Sequence, residues 1–327
     1  MLDFAGKRWY YLSISLVLVV IAGAALAIWQ LKPGIEFTSG SQFTVAFTER
    51  SVAQSEVRQA MSDLDHPEAR VQGAGTNRYL IRTSELENAP PISGGEGPAA
   101  EGEIDTIMAG LQDRFGAVSR EDFSTVSGTV SSEIVRNATF AVLAASVMIL
   151  LYIWWAFREL DRPIRYGVCA IVAIVHDALI VLGLFAILGR FNGVEVDVAF
   201  LTAILTVIGF SVHDTIVVFD RMREIMKHDA YIPFNEAVNS AMTDTLARSI
   251  NTSLVVIFTT LAMLLLGGET IRYFLLALLV GIVVGTYSSI GVSVQVLTAW
   301  ENGDFGKFWR RIRGQGKPDD DLAPDPA

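Results

Sequence analysis

Two His–Asp pairs stand inside long apolar runs, at His176–Asp177 and His213–Asp214. Placing an Asp at the centre of a membrane helix costs ~2.5–3.5 kcal/mol, so such a carboxylate needs a partner, a proton or water. Asp214, flanked by Ser211 and Thr215, lies roughly 8 Å along its helix from Phe219, at 1.5 Å per residue. Arg248 heads the next apolar run at the same end, and its long side chain could reach in to Asp214. Burial favours the neutral carboxyl and pairing favours the carboxylate, so this arrangement can take up and release a proton. His213 adds a second titratable group beside it. Adjacent residues on a helix point in different directions, so only one of His176 and Asp177 is expected to face the bundle. Asn251 and Thr252 carry polar groups into the helix that Arg248 begins, where they could line a hydrated cavity or bond across helices. Gly281 and Gly285, four apart, admit a close helix neighbour. Ser288 and Ser289 follow on the same helix. The plainer readings are that Asp214 only hydrogen-bonds a neighbouring helix, that Arg248 only anchors the helix at the interface, and that the glycines only pack.

The composition is 51% hydrophobic and 18% charged, which puts the chain in the membrane class before any motif is weighed. The net charge of −10 comes from acids spread over polar segments. No basic patch with interleaved aromatics marks a nucleic-acid site. A single cysteine, Cys169, excludes an internal disulfide and a cysteine metal site. No phosphate-binding loop, zinc-ligand spacing or Ser–His–Asp signature occurs, so no metal or organic cofactor is expected; an ion gradient suits the chain better than ATP.

The elements that must position these residues are apolar runs of about 20 residues, each long enough for one crossing. They are read at 9–31, 137–157, 166–188, 198–219, 249–268 and 273–300, after a short terminus at 1–8. Residues 220–247 form an amphipathic connection with a surface helix after Pro233, and 301–327 form a tail. Residues 32–136 are polar and read as strand, helix, strand, strand, helix, strand: a small α+β domain of the ferredoxin-like kind. Its expected strands include 42–48 and 118–126, and its helices 51–64, capped by Ser51 or Ser55, and 103–115. A Pro/Gly-rich insertion at 86–102 interrupts it. Basic residues cluster at Lys7–Arg8, 158–165, 221–248 and 307–317, while the opposite short loops hold only Arg190 and Arg272. Both termini are therefore expected in the cytoplasm and the α+β domain outside it.

Five motifs in order, GIEFTSG at 34–40, VHD at 175–177, GFSVHDTIVVFDRMRE at 209–224, RSINTS at 248–253 and GTYSS at 285–289, resemble the SecD/SecF family of the resistance–nodulation–division superfamily. The likeness covers nearly the whole chain. It departs from the family's GIDFTGG at Glu36 and Ser39, and from its Asn before the fourth-helix Asp at His213. The resemblance implies half of a twelve-crossing transporter, completed by a SecD partner and working with the SecYEG channel, the motor SecA and the membrane proteins YajC and YidC. It implies a multi-pass protein of the bacterial inner membrane, moving unfolded exported polypeptide, with protons as coupling ion and no covalent catalysis. The family's proton-relay pair maps onto Asp214 and Arg248. The flank facing the partner is expected to include the fourth or sixth crossing, with Gly281 and Gly285 permitting the approach. Competing readings are a proton-coupled small-molecule exporter of the same superfamily and an intramembrane aspartyl protease using Asp177 and Asp214.

Overall fold

The computed structural model describes residues 3–86, 102–158, 163–229, 231–268 and 271–306. Among them, six helices are long and apolar enough to cross a membrane. The first, α1 (Arg8–Trp29), leads to a sheet domain, and the other five follow it. Most of the expected insertion at 86–102 lies outside the described residues, as do most of the tail and residues 159–162.

After a single helical turn, α2 (Ile35–Thr38), the sheet domain runs β1 (Gly40–Phe47), α3 (Gln54–Asp63), β2 (Arg70–Gly75), β3 (Arg78–Thr83), α4 (Glu103–Phe115) and β4 (Val118–Val126). The strands are all antiparallel, in the order β2-β3-β1-β4. Alternation explains the layering. Phe43, Val45 and Phe47 point to one face of the central strand and pack on Val57 and Met61 of α3 and Ile107 and Leu111 of α4. Gln42 and Thr44 point the other way, with Ser124 of β4, into a cavity of about 290 Å³ that also touches Glu195, Tyr273 and Phe274 of the helix bundle. The sheet thus turns a polar face to the bundle. At the start of α3 the expected serine cap is absent. The helix begins after Ala53, whose N–H donates to Glu56 Oε2 at 2.8 Å, so the glutamate supplies the capping acceptor instead. Asn77, left-handed at φ 59°, makes the β2–β3 turn, and its side chain accepts from Val52 N at 2.9 Å.

The crossing helices are longer than their apolar runs. α5 (Gly128–Phe157) starts at Ser127, whose Oγ accepts from Val130 N at 3.4 Å. The segment 128–136, read as part of the polar domain, is therefore the first part of this helix. α6 (Pro163–Asn192) and α7 (Val198–His228) likewise run past their apolar limits. The largest departure is α8 (Phe234–Leu266), a single helix that joins the expected surface helix to the fifth crossing. The segment between them contains no Gly or Pro. Just beyond it, the Thr252 hydroxyl donates to the Arg248 carbonyl at 3.0 Å, within the helix. The last crossing comprises α9 (Arg272–Ser288), a π-helical turn at Ser289–Ser293 and α10 (Val294–Glu301).

Burial sorts the crossings. α6, α7 and the last crossing are the most enclosed, whereas α1, α5 and α8 expose most of their apolar surface. Two joints fix the ends of the bundle. At one, Gly34 N donates to Val196 O and Val196 N to Lys32 O, both at 2.8 Å, so the exit from α1 pairs with the α6–α7 loop. At the other, Arg8 pairs with Asp304 at 2.7 Å and Arg165 with Glu301 at 2.8 Å.

Candidate functional site: a buried polar cluster between α6, α7 and α9

Glycines decide how closely these helices approach. A Cβ on Gly281 would lie 2.2 Å from Val207 Cγ2, and one on Gly285 would lie 3.2 Å from Ser211 Cβ and 3.6 Å from Asp177 Oδ2. The small residues of α9 therefore lie against α7 and α6 of the same chain, not on a free flank. This corrects the expectation that Gly281 and Gly285 face a partner.

That approach builds a hydrogen-bonded node on Asp177, which is fully buried. Ser211 Oγ donates to Asp177 Oδ2 at 2.6 Å, and Ser288 Oγ donates to the same oxygen at 2.7 Å. His176 Nδ1 lies 2.9 Å from Asp177 Oδ1. A buried carboxylate is tolerable only when its lone pairs are met, and three partners meet these. Asp177 is the member of its pair that faces the neighbouring helices. His176 is also buried, because its ring folds back onto the adjacent carboxylate. The ring lies 6.3 Å from that of Tyr287, whose hydroxyl donates to Tyr11 O at 2.8 Å and lies 3.1 Å from Ser15 Oγ. A polar path thus runs from α6 through α9 to α1. The π-helical turn begins directly beyond Ser288, and Gln295 Nε2 bonds the Ile290 carbonyl there at 3.1 Å. Ser289 only back-bonds its own helix, to Thr286 O at 2.9 Å.

Asp214 lies three residues beyond Ser211, one turn along α7. It is buried too, with 3% of its surface exposed, yet its Oδ2 has no hydrogen-bond partner among the described residues. The same holds for Thr215 Oγ1 on α7 and Ser249 Oγ on the adjoining α8. Arg248 forms no ion pair with Asp214 in this structure. Consecutive helical residues diverge by about 100°, so with Ser249 turned into the bundle Arg248 points out of it. His213 is exposed for the same reason beside the buried Asp214. Asn251 and Thr252 lie on the exposed side of α8, and the inward polar residue there is Ser253, which accepts from Thr286 Oγ1 at 2.7 Å.

Sequence reasoning gave no contact to Tyr287, which it quoted only within the GTYSS motif, and passed over Ser15 and Gly183. Tyr287 and Ser15 bond across helices far apart in the chain, and the only mark of Ser15 in the sequence is a hydroxyl inside an apolar run. A Cβ on Gly183 would lie 2.5 Å from Ala22 Cα, so this glycine sets the α1–α6 contact. No group of three or more His, Cys, Asp or Glu residues among those described could hold a metal.

Residues 106–303 match the family model of the SecD/SecF C-terminal region, described as a protein export membrane protein. The protein translocase subunit SecF of Thermobaculum terrenum is 42% identical over 95% of this chain and 98% of its own length. That of Anaerolinea thermophila is 37% identical over 95% of this chain and 98% of its own length. Among solved structures, the crystal structure of SecDF, a translocon-associated membrane protein from Thermus thermophilus, superposes with a TM-score of 0.76 at 33% identity. The match covers 92% of this chain and 39% of the SecDF chain. With six crossing helices, this extent of likeness and a family match over more than half its length, the chain belongs to the SecD/SecF family of protein export membrane proteins, as a multi-pass SecF-type subunit with a role in protein export.

Proposed function

We propose that this chain is the SecF half of a proton-driven export motor. With a SecD partner it uses the proton-motive force to complete translocation of unfolded preproteins after the SecA step, without covalent catalysis. The observation that carries the reading is the contrast between two buried carboxylates one helical turn apart in their contacts along α7. Asp177 is locked by three partners, while Asp214, buried beside Thr215, has one oxygen without a hydrogen-bond partner among the described residues. A carboxyl that is neutral in one arrangement and pairs with Arg248 in another would let proton entry select between two helix packings. His176 and His213 flank the two carboxylates as further proton carriers in this scheme.

The partner completes the bundle in this reading. SecDF of Thermus thermophilus is one chain of which this chain spans 39%, so a separate SecD chain would supply the rest. On α7, Thr202, Thr206, Gly209 and His213 form an exposed stripe at helical spacing, and nothing lies within 4 Å of a Cβ built on Gly209. With exposed Arg248, Asn251 and Thr252 nearby on α8, this is a poor face for lipid and a suitable one for a partner helix. The fourth crossing thus supplies the flank, through Gly209. The sheet domain is of the ferredoxin-like class, a reading supported by its βαββαβ order and β2-β3-β1-β4 sheet. It sits on the outer side of the bacterial inner membrane, with both termini in the cytoplasm. SecYEG, SecA, YajC and YidC are the assemblies it would serve, and protons the coupling ion.

The test is reconstitution. Inner-membrane vesicles lacking SecD and SecF, resupplied with this chain and its SecD, should regain gradient-stimulated export of a secreted reporter, and a protonophore should remove the gain. Restoration that ignores the protonophore would refute the proton-driven reading.

A further inference from the structure

We propose that the cleft between the sheet domain and the adjoining end of the bundle binds the phosphate of an anionic phospholipid headgroup. The cleft has a volume of about 680 Å³, within the ~300–1,000 Å³ range of small-molecule sites. Its charged lining is Lys32, Arg58, Arg70, Arg82 and Arg190 against one carboxylate, Glu195. That excess of positive charge stands out in a chain of net charge −10. Glu195 is already engaged, by Arg82 at 2.6 Å and Arg70 at 3.4 Å. No described carboxylate pairs with Lys32, Arg58 or Arg190. Three cations thus converge from the end of α1, from α3 and from the end of α6 with no counter-ion supplied by the described residues.

Its depth in the membrane selects the ligand. Phe191 lines the cleft, and its exposed ring meets the exposed Trp29 edge-on at 5.6 Å. Exposed aromatics at the ends of crossing helices mark the headgroup level of a bilayer. Arg190, Lys32 and Tyr273 stand at the same helix ends. At this level the phosphate of a lipid headgroup is the anion within reach of the cleft, and arginine forks match phosphate oxygens. A phosphate seated there would hold the sheet domain and the bundle together through a lipid, beside the Glu195 ion pairs. The proposal needs only that the helices span a membrane, and stands apart from the proton-driven reading.

The test uses the full chain in detergent, incubated with equal amounts of phosphatidylglycerol and phosphatidylcholine of matched acyl chains, with bound lipid counted by native mass spectrometry. Phosphatidylglycerol should be retained preferentially. Lys32→Ala, Arg58→Ala and Arg190→Ala should each lower that preference by about fivefold, the weight of one basic residue at an anionic surface. Arg58→Glu, on an exposed helix position, gives a second variant that leaves the bundle untouched. Two results would overturn the proposal: equal retention of the two lipids, or displacement of phosphatidylglycerol by inorganic phosphate or a polyglutamate peptide at matched concentration.

Discussion

Asp177 accepts from Ser211 and Ser288 and holds His176, while Asp214, also buried, leaves one oxygen without a partner among the described residues. Removing the first acceptor strands its donors. Each unsatisfied buried polar group costs about 1–3 kcal/mol, so Asp177→Ala should lower the thermal unfolding temperature in detergent clearly more than Asp214→Ala does. An equal loss for both would contradict the hydrogen-bond assignment. The sequence marks both carboxylates as costly but cannot tell which is satisfied, because the donors Ser211 and Ser288 are 34 and 111 residues from Asp177. The Arg248 pairing illustrates the converse. Reach was legible from the sequence, but direction was not, since it depends on which of Arg248 and Ser249 turns inward. In the sheet domain, hydrogen bonds from Thr83 and Ser84 hold Glu68 at about 2, below its ordinary 4.5. A carboxylate with a depressed folded value contributes stability above its unfolded value, and that contribution is lost as pH falls from about 4.5 towards 2. Glu68→Gln should therefore weaken the protein at pH 5 and leave a smaller drop between pH 5 and pH 3 than in the parent. Parallel curves for parent and variant would show that the carboxylate is not linked to folding.

At the scale of elements, two glycines set helix separations in different ways. A Cβ at Gly183 meets the backbone of α1, at 2.5 Å from Ala22 Cα and 2.8 Å from its carbonyl oxygen. For a Cβ at Gly281 the nearest atoms are side-chain atoms of Val207, Cγ2 at 2.2 Å, Cγ1 at 2.8 Å and Cβ at 3.0 Å, so a side chain and not a backbone must yield first. Overpacking costs about 1–3 kcal/mol, and Gly183→Ala should sit at the upper end because α1 must move bodily. Thermal unfolding should rank Gly183→Ala below Gly281→Ala, and the reverse order would contradict this packing. Element types were legible where periodicity was strong: 103–115 is a helix and 118–126 a strand in both readings. Helix limits were not, because hydropathy reports the membrane and not the helix. Gly128–Arg136 and Phe234–Ala247 are polar enough to lie outside a bilayer, yet each continues the adjoining crossing. The exposed apolar surface of α5 and α8 could not be foreseen from composition either, since hydropathy averaged over a crossing does not say which side meets protein.

At the scale of the molecule, the sheet domain is tied to the bundle through the α6–α7 loop. Glu36 Oε2 accepts from Val198 N at 2.6 Å, next to the Arg82–Glu195 pair. Movement of α6 against α7 would therefore be felt by the domain. The sequence marked 189–197 only as a short loop, because nothing local to Glu195 signals arginines more than a hundred residues earlier. The proposed orientation follows from basic residues and can be checked directly. In a Cys169→Ser background, a cysteine at exposed Ser84 should react with an impermeant maleimide in intact spheroplasts. One at exposed Asp229 should react only after permeabilisation. Opposite labelling would invert the topology and remove the outer-side role of the sheet domain.

The claim on which the motor rests is that Asp214 takes the proton. Asp214→Asn fixes the neutral form while keeping the size of the side chain. In vesicles with this variant and its SecD partner at parental levels, ATP-driven export of a secreted reporter should persist. Its stimulation by an imposed proton gradient should vanish. If Asp214→Asn vesicles show the full gradient-dependent stimulation of the parent, Asp214 is a packing residue and the proton-driven account is wrong.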